Sequence, residues 1–390
     1  MQTSAKANKE GFGKKIWKVV SGNPIVFLLL IAAIVVGCLK DNFFSWNNLG
    51  NLMSNTAVRF LIALGVSGCL ITKGTDLSAG RQVGFAAVVA GILCQRGDYN
   101  GRLWKFVPEM NIGLVFLIVV VLGLAWGLIN GLIVTKLHVP PFIATLGTQT
   151  IIYGISLVIS DAQPIGGFQK VYTQLINGRI GESVKNFYLP YLFFVGLVFG
   201  LIFWVIYNKM RHGKYMYAIG GNDVAAEVSG VNTTRTLIRI YATAGIMYAI
   251  AGYLLAAKSG GASASMGQGY ELEAIAGCTI GGVSTTGGIG TVPGILVGVL
   301  VFELLKIILQ FLGVNPYYNY GCRARLSCWP CLWISVSTSP RSNEQSVRQR
   351  KGTGGQGAGP ARKGAGPGKA GKRTEPLLPG RQDQKRRMVR

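Results

Sequence analysis

Charge is the first thing this chain is short of. Only 14% of its 390 residues are charged, against about 25% in soluble globular domains. So thin a charged complement cannot cover a water-facing surface of this size, which excludes an ordinary soluble domain. Histidine is scarcer still, with two copies. His138 and His212 each sit beside basic residues at the end of an apolar run, so no histidine metal site or nucleophile–base pair can be assembled. No G-x-x-x-x-G-K-[ST] loop occurs, so the chain does not bind nucleotide by that route. The seven cysteines form no evenly spaced framework. Cys38, Cys69, Cys94 and Cys278 lie singly in apolar or glycine-rich sequence and read as packing residues.

What is present is apolar sequence, 49% of the chain, arranged in runs close to the ~20 residues that cross ~30 Å of hydrocarbon as a helix. The expected fold is all-α and polytopic. Lys6, Lys9, Lys14, Lys15 and Lys18 precede the first run and no small-residue cleavage site follows, so residues 1–22 read as a cytoplasmic N-terminus before a retained span. Spans are expected over Pro24–Leu39, from Ala57 after a polar connection at 41–56, over Ile112–Leu137, from Pro140 onward, over Phe187–Met210, over Thr236–Ala257 and over Pro293–Leu312. Gly123, Gly127 and Gly131 recur every fourth residue and predict a close interhelical seam. Residues 161–187 form the longest hydrophilic stretch within this region and are expected outside.

Two segments interrupt the apolar pattern. In KGTDLSAGRQVG, Thr75, Asp76, Ser78 and Arg81 stand where continuous apolar sequence would otherwise run, either as a solvated cytoplasmic turn or as a break facing a protein interior or wet cavity. In GYELEAIAGCTIGGVSTTGGIGTV, Glu271 and Glu273 enter a Gly/Ser/Thr-rich stretch that suits re-entrant or broken helices buried in protein. Thr145, Thr148 and Thr150 bring hydroxyls into a span, to bond backbone carbonyls or a passing solute.

Between two spans lies one polar island, Gly213–Gly230, edged by Lys209, Arg211, Lys214, Arg235 and Arg239. That basic excess places loop 210–236 on the cytoplasmic side. Asn222 is positioned to cap a short helix with Asp223 in its first turn and Gly230 as its stop. Such a helix is either a solvated connector or a surface on which a soluble partner acts.

The run AIGGN-x-x-AA-x-VSGVN resembles the coupling segment of bacterial ABC-transporter permeases for sugars, the ribose and galactose/methyl-galactoside group. KGTDLSAGRQVG is most similar to the galactose/methyl-galactoside pattern, and PPFIATLGT and GYELEAIAGCTIGG resemble further signatures of the same group. The resemblance covers residues 20–320 and implies about nine transmembrane or broken helices out of an expected ten. It implies a non-enzymatic subunit of a monosaccharide importer in the inner membrane. Gly221, Asn222, Asp223, Ala226, Glu227, Val228, Ser229 and Gly230 would engage a separate ATPase carrying the ATP and Mg²⁺, with no cofactor on this chain. Residues 161–187 would face an extracytoplasmic sugar-binding protein, and a second permease copy, in lipid, would complete the pathway. Thr75, Asp76, Ser78, Arg81, Thr145, Thr148, Glu271 and Glu273 are the implied pathway residues. Ribose, xylose or nucleosides stay open as cargo. A different class, an ion-coupled secondary transporter, would need intramembrane acids, for which Asp76, Glu271, Glu273 and Glu303 are available.

The net charge of +24 invites a nucleic-acid reading, but residues 321–390 alone hold 16 basic and three acidic side chains. No aromatic interleaving accompanies them, so nucleic acid is not an expected partner. This basic tail is compositionally disordered, and LSCWPCLWISV within it is too short to span. If each residue is read as the third base of one codon plus the first two of the next, GCRARLSCWPCLWISVST permits L-Q-G-x-x-V-V-L-A-V, the ending that the resembling permeases carry. The tail therefore reads as a frameshift product.

Overall fold

The computed structural model describes residues 24–40, 42–181 and 189–314. The expected cytoplasmic N-terminus, part of the outer stretch and the tail lie outside the described residues. Twelve helices and one two-residue strand pair make up what is described. In order they are α1 (Pro24–Leu39), α2 (Trp46–Ile71), α3 (Ala79–Leu93), α4 (Ile112–Lys136), α5 (Pro141–Ile159), α6 (Lys170–Asn177), β1 (Arg179–Ile180) and β2 (Leu189–Pro190). There follow α7 (Tyr191–Asn208), α8 (Arg211–Gly221), α9 (Asp223–Val228), α10 (Thr233–Ser259), α11 (Tyr270–Ile280) and α12 (Val292–Phe311). Six of them, α2, α4, α5, α7, α10 and α12, are long and apolar enough to cross a membrane. With 16 and 15 residues, α1 and α3 are shorter apolar pieces, and the 11-residue α11 carries Glu271 and Glu273 in its first turn.

α2 starts eleven residues before the expected Ala57. The supposed connection at 41–56 is largely helix because Ser45 caps it, its Oγ accepting from Asn48 N at 3.3 Å. A side-chain acceptor at the N-cap satisfies one of the donors that a helix start leaves orphaned. The polar Asn47, Asn48 and Asn51 sit near that end and not in the middle of the span. At the other breaks the expectations hold: Pro141 and Pro293 stand in the first turns of α5 and α12, where a missing N–H costs little.

α10 and α2 form the interior, with most of each helix buried, while α4, α5 and α7 show most of their apolar residues outward. The seam between α4 and α10 is built from the predicted glycine repeat. A Cβ on Gly127 would meet the Tyr241 carbonyl oxygen and come within 2.9 Å of Ala242 Cα, and one on Gly245 would stand 3.0 Å from Gly127 Cα. Small residues are therefore required for these backbones to touch. Gly127→Leu is expected to lower the melting temperature in detergent by an amount equivalent to about 1–3 kcal/mol of overpacking. Gly147→Leu on α5, where no atom lies within 4 Å of an added Cβ, is the control that should melt as the parent does.

The described part of the stretch expected outside, residues 161–181, is not a bare loop. α6 is pinned by Tyr172, fully buried, whose ring lies 4.9 Å from that of Tyr253, and Ile165 and Ala262 exchange backbone hydrogen bonds.

Candidate functional site

Two irregular junctions meet at the start of α3, one leading into it and the other packed on it. α2 ends at Ile71, Lys73 takes a left-handed φ of 62° and the chain stays non-helical to Ser78. Asp76 is buried there with 1% of its surface exposed. Its Oδ1 accepts from Ser78 N at 3.0 Å and from Ser78 Oγ at 2.6 Å, and its Oδ2 accepts from Tyr248 Oη of α10 at 3.1 Å. Ser78 Oγ in turn accepts from Gln82 Nε2 and from Asn130 Nδ2 of α4, both at 2.9 Å. Thr145 Oγ1 of α5 accepts from Leu77 N at 3.1 Å and donates to Pro141 O at 2.8 Å or Thr75 O at 3.2 Å. Thr75, Asp76, Ser78 and Thr145 are thus brought together. Thr148 and Thr150 instead bond backbone carbonyls of their own helix at 3.2 Å.

Because Asp76 has three donors and no cation among these contacts, each hydrogen bond matters. Tyr248→Phe removes the donor to Oδ2 and is expected to cost about 1–3 kcal/mol, the range for orphaning a buried partner. Thermal melting of the purified protein measures it; an unchanged midpoint would show that the bond does not hold the junction. Tyr248, Gln82 and Asn130 were not anticipated from the sequence. Asn130, an amide alone in a 25-residue apolar helix, was the one readable signal.

The second junction, residues 260–269, lies on α3. A Cβ on Gly80 would collide with Gly267 O and Glu271 Oε2, and one on Gly84 with Met266 O. Gly267 and Gly269 have φ of 81° and 82°, backbone that side chains rarely adopt. Arg81 places its guanidinium 4.0 Å from the Tyr153 ring centroid and reaches Ala264 O at 3.5 Å. Glu271 therefore belongs to the same locus as Asp76 and Arg81.

Glu273 does not. Two residues further along a helix points a side chain to nearly the opposite face, and Glu273 turns into a separate ring of four charges. Arg59 of α2 meets Glu273 at 2.9 Å and Glu303 of α12 at 2.8 Å; Lys306 meets the same two carboxylates at 2.8 and 3.0 Å. Arg59 also covers the Tyr270 ring at 4.8 Å. Arg59 and Lys306 were missed by the sequence reading, since a single basic residue in an apolar run gives no hint of its partner.

The polar island folds as two helices. The sequence suggested only the second; α8 forms across GKYMYAIGG despite its glycines because it packs on the bundle. Gly213 lies against the Tyr207 backbone and Gly220 against Ile71 O and Gly288 N. Burial pushes the Tyr217 phenol up to about 12, and its Oη donates to Gly290 O at 2.8 Å. Burial, then the neighbouring Arg239, holds the His212 imidazole below its ordinary value. Lys73 Nζ reaches Gly221 O at 3.4 Å, and Gly288 N donates to Ile71 O at 2.9 Å. α8 thus touches the chain just before the first junction and just after α11.

α9 projects beyond it. Asn222 Oδ1 accepts from Ala225 N at 3.0 Å, as an N-cap does, and Asp223 occupies the first turn. Ser229 Oγ donates to Ala225 O at 2.8 Å and Gly230 closes the helix at φ 85°. Ala226 is buried; Gly221, Asn222, Asp223, Glu227, Val228, Ser229 and Gly230 are exposed. Val224 and Val228 are 66% and 85% exposed one turn apart, an apolar pair facing away from the chain.

Residues 48–324 match the protein family described as "Branched-chain amino acid transport system / permease component". The chain is 45% identical over 317 residues to the galactose/methyl galactoside import permease protein of Escherichia coli (strain K12), covering 80% of this chain and 92% of that one. It is 42% identical to the protein of the same description from Haemophilus influenzae, over 78% of this chain and 91% of the relative. The ribose import permease protein of Bacillus subtilis (strain 168) is 36% identical, over 75% and 85%. No solved structure matches. A match over most of the described helices and both junctions leaves one assignment: the chain is a multi-pass membrane transport component and belongs to this permease family.

Proposed function

We propose that the chain is the membrane-spanning subunit of an ATP-driven importer that carries galactose and methyl galactoside. The observation that carries this is the 45% identity to an import permease for those sugars over 80% of the chain. Relatives described as ribose permeases stand lower, at 33–36%. As a permease component the chain performs no covalent chemistry; ATP and Mg²⁺ belong to a separate ATPase, and a sugar-binding protein delivers cargo from the other side. Two copies in the inner membrane enclose the pathway, with the N-terminus and α8–α9 cytoplasmic.

The geometry supports how such a subunit works. A push on α9 reaches α8, and α8 bears on Ile71 and Lys73, at the start of the junction that holds Asp76, and on Gly288, in the turn that follows α11, the helix that carries Glu271. An ion-coupled reading is weaker, because two of its four acids, Glu273 and Glu303, are already neutralised by Arg59 and Lys306.

The test is co-purification with the ATPase and uptake of labelled galactose by membranes holding this chain, beside a version whose residues after 320 are restored to the shifted frame. ATPase capture and galactose uptake by the restored form support the reading. Failure of both forms to hold an ATPase overturns it.

A further inference from the structure

We propose that the groove bounded by α2, α7, α8 and α10 binds one anionic phospholipid, its phosphate at Arg239 and an acyl chain along the apolar walls, an inference that needs the membrane fold but not the identity of the cargo. The groove has a volume of about 290 Å³, close to the ~300 Å³ at which small-molecule sites begin. Its mixed lining sets it apart. Two other grooves, one between α2, α7 and α12 and one between α4, α6, α7 and α10, have no charged side chain in their walls. This one joins apolar walls of Leu64, Phe203, Ile206, Met216 and Ile240 to Arg239 and His212. A basic pocket between spans at a membrane surface is the kind of site that phospholipid headgroups occupy.

The two parts of the lining lie at different depths. Thr243, Phe203 and Leu64 are each one turn, about 6 Å, further from α8 than Arg239, Tyr207 and Gly68 on the same helices. The cation therefore stands at the membrane surface and the apolar floor within the hydrocarbon. Leu201, Ile202, Trp204 and Val205 of α7 are exposed on a helix long and apolar enough to span, so acyl chains are the medium onto which the groove opens. Charge selects the headgroup. Residues 209–239 hold five basic side chains, Lys209, Arg211, Lys214, Arg235 and Arg239, against Asp223 and Glu227, and all five are exposed. Among the described residues none of the five is in an ion pair. A guanidinium can hold two phosphate oxygens at once. His212, kept below its ordinary value by burial and then by Arg239, is an uncharged hydrogen-bonding neighbour at neutral pH. A lipid seated here braces α8 against α7 and α10, beside the helix on which the ATPase is proposed to act.

The test uses the full chain in an uncharged detergent, with phosphatidylglycerol carrying a photoreactive acyl chain and phosphatidylcholine carrying the same chain without the net negative charge. Phosphatidylglycerol is expected to label peptides within 203–216 and 239–243 about fivefold more strongly than phosphatidylcholine, the factor that one cation beside an anionic headgroup supplies. Arg239→Gln, at an exposed position, is expected to lower that labelling about fivefold. Thr243→Phe fills the groove from a half-buried site whose hydroxyl bonds only its own helix, at Ile240 O, and is expected to lower the labelling by both lipids. Lys136→Gln, an exposed cation at the end of α4 outside the groove, is expected to label as the parent does. Equal labelling of the parent by the two lipids, labelling confined to the basic residues 321–390, or undiminished labelling in Arg239→Gln overturns the assignment. So does loss of label on adding inorganic phosphate but not chloride of equal ionic strength, which would make the groove a site for a free anion. None of these readouts depends on uptake, so a different cargo leaves the lipid site standing.

Discussion

Val228→Asp is expected to cut sugar uptake about 30-fold or more and to release the ATPase on purification, while the membrane subunit itself melts as the parent does. Val228 is 85% exposed and Val224, one turn back, 66% exposed. Neither side chain supports the bundle, so a change there leaves the fold alone. Large apolar side chains held out on a short capped helix are what a partner pocket buries, and a few such anchors carry most of an interface's energy. Placing a carboxylate in that contact adds the desolvation of an unpaired charge, and a loss of only about 2 kcal/mol already corresponds to a factor near 30. Ala226→Asp is the contrasting variant: Ala226 is buried against the chain, so it should lower stability and uptake together. If the Val228→Asp complex stays assembled and imports at the parent rate, α9 is a connector and the coupling assignment falls.

The fold was legible where one physical rule acted alone. Proline at a helix start, glycine every fourth residue and an Asn-Asp cap each demand a single local geometry, and Pro141, Gly123 to Gly131 and Asn222 all adopt it. Reading failed where tertiary contact decided. α8 forms across three glycines because the lack of side chains at Gly213 and Gly220 lets the helix lie on Tyr207 and Gly288; propensity alone argues against it. α2 reaches back to Trp46 through polar sequence because Ser45 caps it. The site shows the same division. Asp76, Ser78 and Arg81 stood out as polar residues in an apolar run, but their partners Tyr248, Asn130 and Tyr153 come from helices 52 to 172 residues away, and of these Asn130 alone carries a local mark. Glu271 and Glu273 enter one Gly/Ser/Thr-rich stretch and were both implied as pathway residues, and helical geometry sends them to different neighbours.

The larger thermodynamic effect is expected from the four-charge ring. Arg59 and Lys306 each contact both Glu273 and Glu303 at 2.8 to 3.0 Å, so the ring is neutral and ties α2 to α11 and α12. Glu303→Gln leaves two cations sharing one carboxylate in a site where Glu303 is 1% and Glu273 8% exposed. Removing one partner of a buried ion pair costs about 3–5 kcal/mol, mostly from the charge left behind. Arg59→Gln, which strands a carboxylate, should cost a similar amount. The double variant Arg59→Gln with Glu303→Gln removes one charge of each sign and keeps the 2.8 Å Lys306–Glu273 pair, so its loss should be well below the sum of the single losses. That shortfall is the coupling energy, and values of about 0.5–3 kcal/mol are usual for groups in one network. Denaturation of the three variants in one detergent measures it. Strict additivity would mean that the charges act independently and that packing, not the ring, holds α11 and α12 to α2. A large coupling would make the ring the fixed wall against which the junctions at Asp76 and Glu271 move.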